Sequence, residues 1–216
     1  MKNVLYILAA LLLTVSCTKH EDLVDVSFQP GNILLTDGRV IHPSLYNANE
    51  HKAIGVIFWC NDGSGITDDL GYAVALEDLE EDYLVDTTDD ISSVTESQTE
   101  FDGESNTAGI ITFAMKDSIP CPAAEKAINY NPGMSGWYIA SLAQSKAISQ
   151  SLNKVYEGFD KVGGKRFSGW YWTSTENGAG SENPQISAFV VSLDNGSAGS
   201  SSKQAINKIR PIITIR

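Results

Sequence analysis

Residues 141–176 read SLAQSKAISQSLNKVYEGFDKVGGKRFSGWYWTSTE, and the hydrophobic period changes part-way along. Ile148, Leu152, Val155, Tyr156 and Phe159 fall at offsets of 4, 7, 8 and 11, which sets them on one face of a helix. Ser141 and Gln144 form a capping-box pattern in front of that stripe, and Gly158, Gly163 and Gly164 mark its end. In residues 167–174, FSGWYWTS, the period becomes two: an aromatic, alternating strand with Trp170 and Trp172 on one face and Tyr171 on the other.

Outward from this stretch, strand patterns dominate both ends. On the C-terminal side, residues 186–193 read as a strand, Asp194-Asn195-Gly196 turns the chain, and residues 197–202 are small and polar. Residues 209–215 alternate and close the chain, with Pro211 marking an edge or a bulge. On the N-terminal side, residues 137–140 form a brief strand. Before it, residues 122–130 (PAAEKAINY) form a short helix with proline in its first turn, stopped by Asn131-Pro132-Gly133. Residues 72–76 and the continuous apolar run AIGVIFWC at 53–60 are core strands, separated by a Gly/Asp loop at 61–69. Residues 32–36 and 39–41 flank Asp37-Gly38, a hairpin signal. Strands, two mid-chain helices and strands again define an α+β domain over residues 30–216.

Residues 77–105 are acidic, rich in Ser and Thr, and carry few apolar anchors, which predicts a long solvated excursion. Between Lys52 and Lys116 there are 15 Asp and Glu and no Lys, Arg or His, within a chain of net charge -12. That charge excludes recognition of nucleic acid by phosphate neutralisation. Clustered carboxylates attract hard cations such as calcium, but no segment fits the EF-hand loop pattern, so no cofactor is expected.

The N-terminus reads MKNVLYILAALLLTVSC: a positive Lys2, an apolar run over residues 4–13, then Thr14, Val15 and Ser16 before Cys17. The run is too short for a membrane span, which needs about 20 apolar residues. It has the form of a secretory signal peptide over residues 1–16. A cysteine at the cut site resembles a bacterial lipobox, with Thr14 where leucine is usual, and implies lipidation of Cys17 and a tether over residues 17–29. The charged residues Lys19, His20, Glu21 and Asp22 that follow resemble the signal that carries Bacteroidetes lipoproteins to the cell surface. An outer-membrane lipoprotein, exposed on the surface and touching the membrane through its lipid alone, is therefore expected. In that compartment Cys60 and Cys121 admit two readings, a disulfide or two buried free thiols.

The segments GNILLTDGRV (31–40), AIGVIFW (53–59), AVALEDL (73–79), DGESNT (102–107), GWYIASLAQ (136–144), GWYWTSTE (169–176) and KIRPI (208–212) occur in that order. The series resembles the domain family of bacterial surface proteins typified by the C-terminal domain of the Legionella collagen-like adhesin, close to the Fibrobacter major paralogous domain. The resemblance implies a C-type-lectin-like fold related to the formylglycine-generating-enzyme superfamily. Such a fold has a twisted antiparallel sheet flanked by two helices, neighbouring termini, and long loops that supply a ligand surface. Ala140 and Gln144 stand where the family more often has proline and glutamate. No cysteine follows Cys121, so the formylglycine-generating chemistry does not carry over.

His42 and His51 have no Ser or Asp spacing that matches a catalytic triad, and Gly133-Met134-Ser135-Gly136 is not a nucleophile elbow. A hydrolase therefore ranks last, and the chain reads as non-enzymatic. The expected function is a surface binding or adhesion module for a glycan or protein ligand. The alternative is a structural or assembly subunit of an envelope or pilus-type complex. The ligand-binding candidates are Trp170, Trp172, Glu176, Asn177, Ser181, Glu182 and Asn183, because aromatic faces beside amide, hydroxyl and carboxylate groups bind by stacking plus hydrogen bonding. Cys17→Ala should abolish labelling by a fatty-acid analogue and release the protein from membranes; retained labelling would refute the lipid anchor.

Overall fold

The computed structural model describes residues 28–63, 65–180 and 182–216; the signal peptide, Cys17, the tether to residue 27 and Ser181 lie outside them. The chain begins with β1 (Ile33–Leu35), β2 (Val40–Ile41), a 3-10 turn at Pro43–Leu45, β3 (Ala53–Cys60), β4 (Gly71–Ala75) and β5 (Leu79–Asp82). Next come α1 (Gly103–Asp117), α2 (Pro122–Asn129), β6 (Trp137–Ile139), α3 (Leu142–Gln150) and α4 (Leu152–Val162). Five strands follow: β7 (Tyr171–Glu176), β8 (Ser187–Val191), β9 (Ala198–Ser202), β10 (Asn207–Ile209) and β11 (Pro211–Ile215). The α+β order read from the sequence holds, but in two sheets and with four helices among the described residues.

One sheet has the order β2-β1-β3-β4-β11-β6 and the other β5-β10-β7-β8-β9. All pairs are antiparallel except β10 with β7. The run AIGVIFWC is buried on both faces of its sheet. It bulges twice, opposite Leu34 and Leu35 and again opposite Ala73 and Tyr72. The first bulge places Ile54 on the opposite face from Val56 and Phe58. One core, built on Val56, Phe58, Tyr138, Val155, Phe159, Tyr171 and Phe189, lies under α3 and α4; a second, including Ile110, Ala124, Trp172 and Val190, lies under α1 and α2.

The predicted helical stripe at 148–159 is present, but the helix breaks at Ser151, whose φ of -100° and ψ of 13° separate α3 from α4. The capping box forms as read: Ser141 Oγ accepts from Gln144 N at 3.2 Å, and Gln144 Oε1 accepts from Ser141 N at 2.9 Å. α2 begins at Pro122 as expected. The helix α1 was not evident in the sequence, because GESNTAGIITFAMKD mixes two glycines and a β-branched run of poor helix propensity. Tertiary contacts hold it instead. Thr107 Oγ1 donates to Gly103 O at 2.8 Å and accepts from Ile139 N at 3.1 Å, so α1 closes the outer edge of β6. Gly103 permits this approach, since a Cβ there would fall 2.6 Å from Ser141 N and 2.8 Å from Ile139 O.

The acidic excursion needs correction. Residues 79–82 are a strand, and Leu84, Val85, Ile91 and Val94 are buried in the core beneath α1. The apolar anchors are spaced irregularly, so periodicity could not reveal that this segment packs while most of its carboxylates face water. The small, polar residues 198–202 are likewise a regular strand, β9, paired residue for residue with β8.

The chain passes between the sheets four times, and the two short crossings, from β4 to β5 and from β10 to β11, meet at Arg210 and Asp78. Arg210 Nε donates to Asp78 Oδ1 at 2.8 Å, Nη1 to Ala75 O at 2.9 Å and Nη2 to Lys165 O at 2.8 Å. Its guanidinium carbon lies 4.8 Å from the Phe167 ring centre and 5.6 Å from that of Phe159. Lys165 Nζ, out in solvent, adds a second contact to Asp78 at 2.9 Å. Removing one partner of a buried pair leaves the other charge uncompensated, at a cost of about 3–5 kcal/mol. Exposed ion pairs contribute about 1 kcal/mol or less. Asp78→Ala should therefore lower the urea midpoint strongly and Lys165→Ala barely; equal effects would contradict this account of the junction.

Candidate functional site

The sequence candidates flank β7 at both ends, Trp170 before it and Glu176 to Asn183 at and beyond its last residue, and they divide between surface and core. Trp170 precedes β7 after a turn at Gly169, whose φ is 78°. Its indole remains 44% exposed and rests on Gly199 of β9, where a Cβ would meet Trp170 Cζ3 at 3.4 Å. Glycine at 199 leaves the ring room to lie against the strand. Lys208 N donates to Trp170 O at 3.0 Å and holds that turn in place.

Glu182 and Asn183 sit in the exposed loop between β7 and β8. Glu182 Oε2 accepts from Ser200 Oγ at 2.7 Å and from Ser187 Oγ at 3.3 Å, spanning the β8–β9 pair. Asn183 Oδ1 accepts from Gln185 N at 3.0 Å, and its carbonyl accepts from Ser187 N at 2.9 Å, which shapes the loop. The indole lies on the Gly199 face of the edge strand β9 and the Glu182–Ser200 contact on the other, so together they form an exposed rim on both sides of that edge and not one continuous surface. Sequence reasoning missed Ser187, Gly199 and Ser200. A stretch of small polar residues carries no signal of its own until the pairing with β8 places it beside Trp170.

Three candidates are structural. Trp172 is buried beside Val190, and its Nε1 donates to Asp82 O at 2.8 Å, fastening β7 to the end of β5. Asn177 is buried, with Oδ1 accepting from Ala179 N at 3.0 Å. Glu176 is buried against Lys203, and burial pushes its carboxyl up to about 7 despite the opposing charge of Lys203. None of these three side chains faces a ligand. Ser181 lies outside the described residues.

Cys60 and Cys121 are free thiols in separate clusters, Cys60 against Trp137 and Ile213 on one face of the larger sheet and Cys121 beneath α1 and α2. The disulfide reading gives way to the two-thiol reading, and burial pushes both thiols up to about 11. His42 accepts from Ser44 N at 3.2 Å as the cap of the 3-10 turn, and His51 packs on Tyr46. Among the described residues no group of three or more His, Cys, Asp or Glu converges as a cation site, and no helix is long and apolar enough to cross a membrane.

No family model matches this chain, and no curated protein matches it. Among solved structures it is similar to a fimbrial protein from Bacteroides ovatus, with a TM-score of 0.60 and 19% identity over 86% of this chain and 48% of that one. The chain thus spans about half the length of that protein, and at this identity the likeness is one of fold.

The two tryptophans give opposite expectations. Trp172→Ala removes a core side chain and should cost about 3–5 kcal/mol. Trp170→Ala removes a surface ring and should cost about 1 kcal/mol or less. Chemical denaturation of the two variants distinguishes them, and a reversed order would refute the division of this site into rim and core.

Proposed function

We propose that this chain is a surface subunit of a fimbria-type or related envelope assembly, held at the outer membrane through a lipid on Cys17. The fold shared with a Bacteroides fimbrial protein carries the reading. The lipobox-like residues before Cys17 and the charged residues after it support an extracytoplasmic, surface-facing location. In this reading the chain binds and assembles, and performs no chemistry on its partner.

The C-type-lectin-like character read from the motif series is a finer version of the same proposal. Phe28 packs against Gly71, and Gly71 pairs with Ile215, so the first described residue lies beside the last strand, as neighbouring termini require. The four helices exceed the two expected for that fold.

A second reading, an adhesion module for a glycan or protein ligand, is favoured by the half-exposed Trp170 beside the edge strand β9. An exposed indole beside a polar edge strand suits a sugar face or an extended peptide. Cross-linking in whole cells, followed by immunoblotting, tests the main reading: a stable high-mass envelope complex is expected, and a freely monomeric, protease-accessible protein would overturn it. A glycan array with the wild type and Trp170→Ala tests the second, which fails if binding is absent or unchanged by the substitution.

A further inference from the structure

Lys203 and Glu176 are in contact at 0% and 2% side-chain exposure, the most deeply buried ion pair among the described residues. Glu176 is the last residue of β7, and Lys203 directly follows β9. Lys203 Nζ also donates to Asp89 O at 3.0 Å, and Glu176 Oε1 accepts from Ile91 N at 3.2 Å. Glu176 Oε2 is buried with no hydrogen-bond partner. The lysine backbone is fixed too: Lys203 N donates to Ile186 O at 2.9 Å, and Lys203 O accepts from Leu84 N at 2.9 Å.

This pair differs from Arg210 and Asp78, where every guanidinium nitrogen has an acceptor. Here one carboxylate oxygen is desolvated and uncompensated, which disfavours the charged form. Nζ touches the Glu176 carboxyl, and passing one proton to it would leave an amine nucleophile beside a carboxylic acid. We propose that Lys203 and Glu176 condense into an intramolecular amide that closes residues 176–203 into a covalent loop.

The amine lone pair attacks Glu176 Cδ and forms the C–N bond. The negative charge that develops on Oε1 lies against the Ile91 N–H, which is already aimed at that oxygen. A second proton then passes from the attacking nitrogen to Oε2 within the tetrahedral intermediate. The Cδ–Oε2 bond then breaks, and Oε2 leaves as water with two of the three ammonium protons. The remaining N–H donates to Asp89 O, and Oε1 remains as the amide carbonyl. The components are one ammonium and one carboxylate, the products one amide and one water, and no oxidant, metal or cofactor enters. Burial holds the reacting atoms together and keeps out the water that would reverse the step. The closed loop contains β8 and β9 and pins the acidic segment at Leu84. It would constrain the unfolded chain as a disulfide does, in a protein whose two described cysteines stay unpaired.

Trypsin digestion of the purified full chain, read by mass spectrometry, tests the bond. Arg166 and Lys203 bracket Glu176, with Lys208 the next cleavage site. An amide at Lys203 blocks cleavage there, so the expected product spans residues 167–208 and is lighter than its sequence by one water. A product ending at Lys203 with the full sequence mass would overturn the proposal. Lys203→Arg, which keeps the charge but is not a nucleophile, should show the full mass and a lower urea midpoint.

Discussion

The Arg210 guanidinium fixes how the two sheets of this protein meet. It satisfies the last carbonyl of β4, the carboxylate of the β4–β5 crossing and the carbonyl that follows α4, and it lies over Phe159 and Phe167. The three hydrogen-bond partners come from parts of the chain 45 to 135 residues away from it. A planar, permanently charged fork with several donors can hold such a junction, whereas a lysine would supply one point of charge and lose the fixed geometry. Once the junction is set, β10 and β11 must lie in different sheets, and the two helical pairs fall on the two cores that result.

A second constraint follows from the edges that this arrangement creates. A sheet edge exposes unpaired backbone groups, and folded chains close or guard them. The β6 edge is closed by Thr107 of α1. β5 is acidic and bound to α2 through Lys126, which reaches Glu80 at 3.0 Å and Asp82 at 2.9 Å. β2 has two residues beside the Asp37–Arg39 pair. β9 is different: regular, small and polar, and bordered by the half-exposed Trp170. The surface features relevant to binding therefore border β9, the edge strand of the smaller sheet that no helix or charged pair covers among the described residues.

The acidic segment shows how charge and packing separate within one stretch. Its carboxylates keep the exterior soluble and repel polyanions, while Leu84, Val85, Ile91 and Val94 complete the core beneath α1. The segment is held by backbone bonds to Lys203 and by the bond from Ile91 N to Glu176, so its order depends on groups more than 80 residues downstream. A stretch that looks solvated by composition is thereby a structural part of the domain.

What the sequence determined is local. The helical stripe of Ile148, Val155 and Phe159, the capping box at Ser141, proline at the start of α2, the Asp37-Gly38 hairpin and the alternation of Trp170, Tyr171 and Trp172 depend on neighbours within about a turn or a pleat. Each was legible for that reason, as was the α+β order. The tertiary structure decided everything that rests on distant partners. It divided the strands into two sheets at Arg210, broke the helix at Ser151, and gave α1 a place that its own propensity does not secure. It also sorted the ligand candidates: Trp170, Glu182 and Asn183 to the surface, Trp172, Glu176 and Asn177 to the interior. Alternation shows which residues share a face, but only the packing of helices and loops against that face decides which of them reach water.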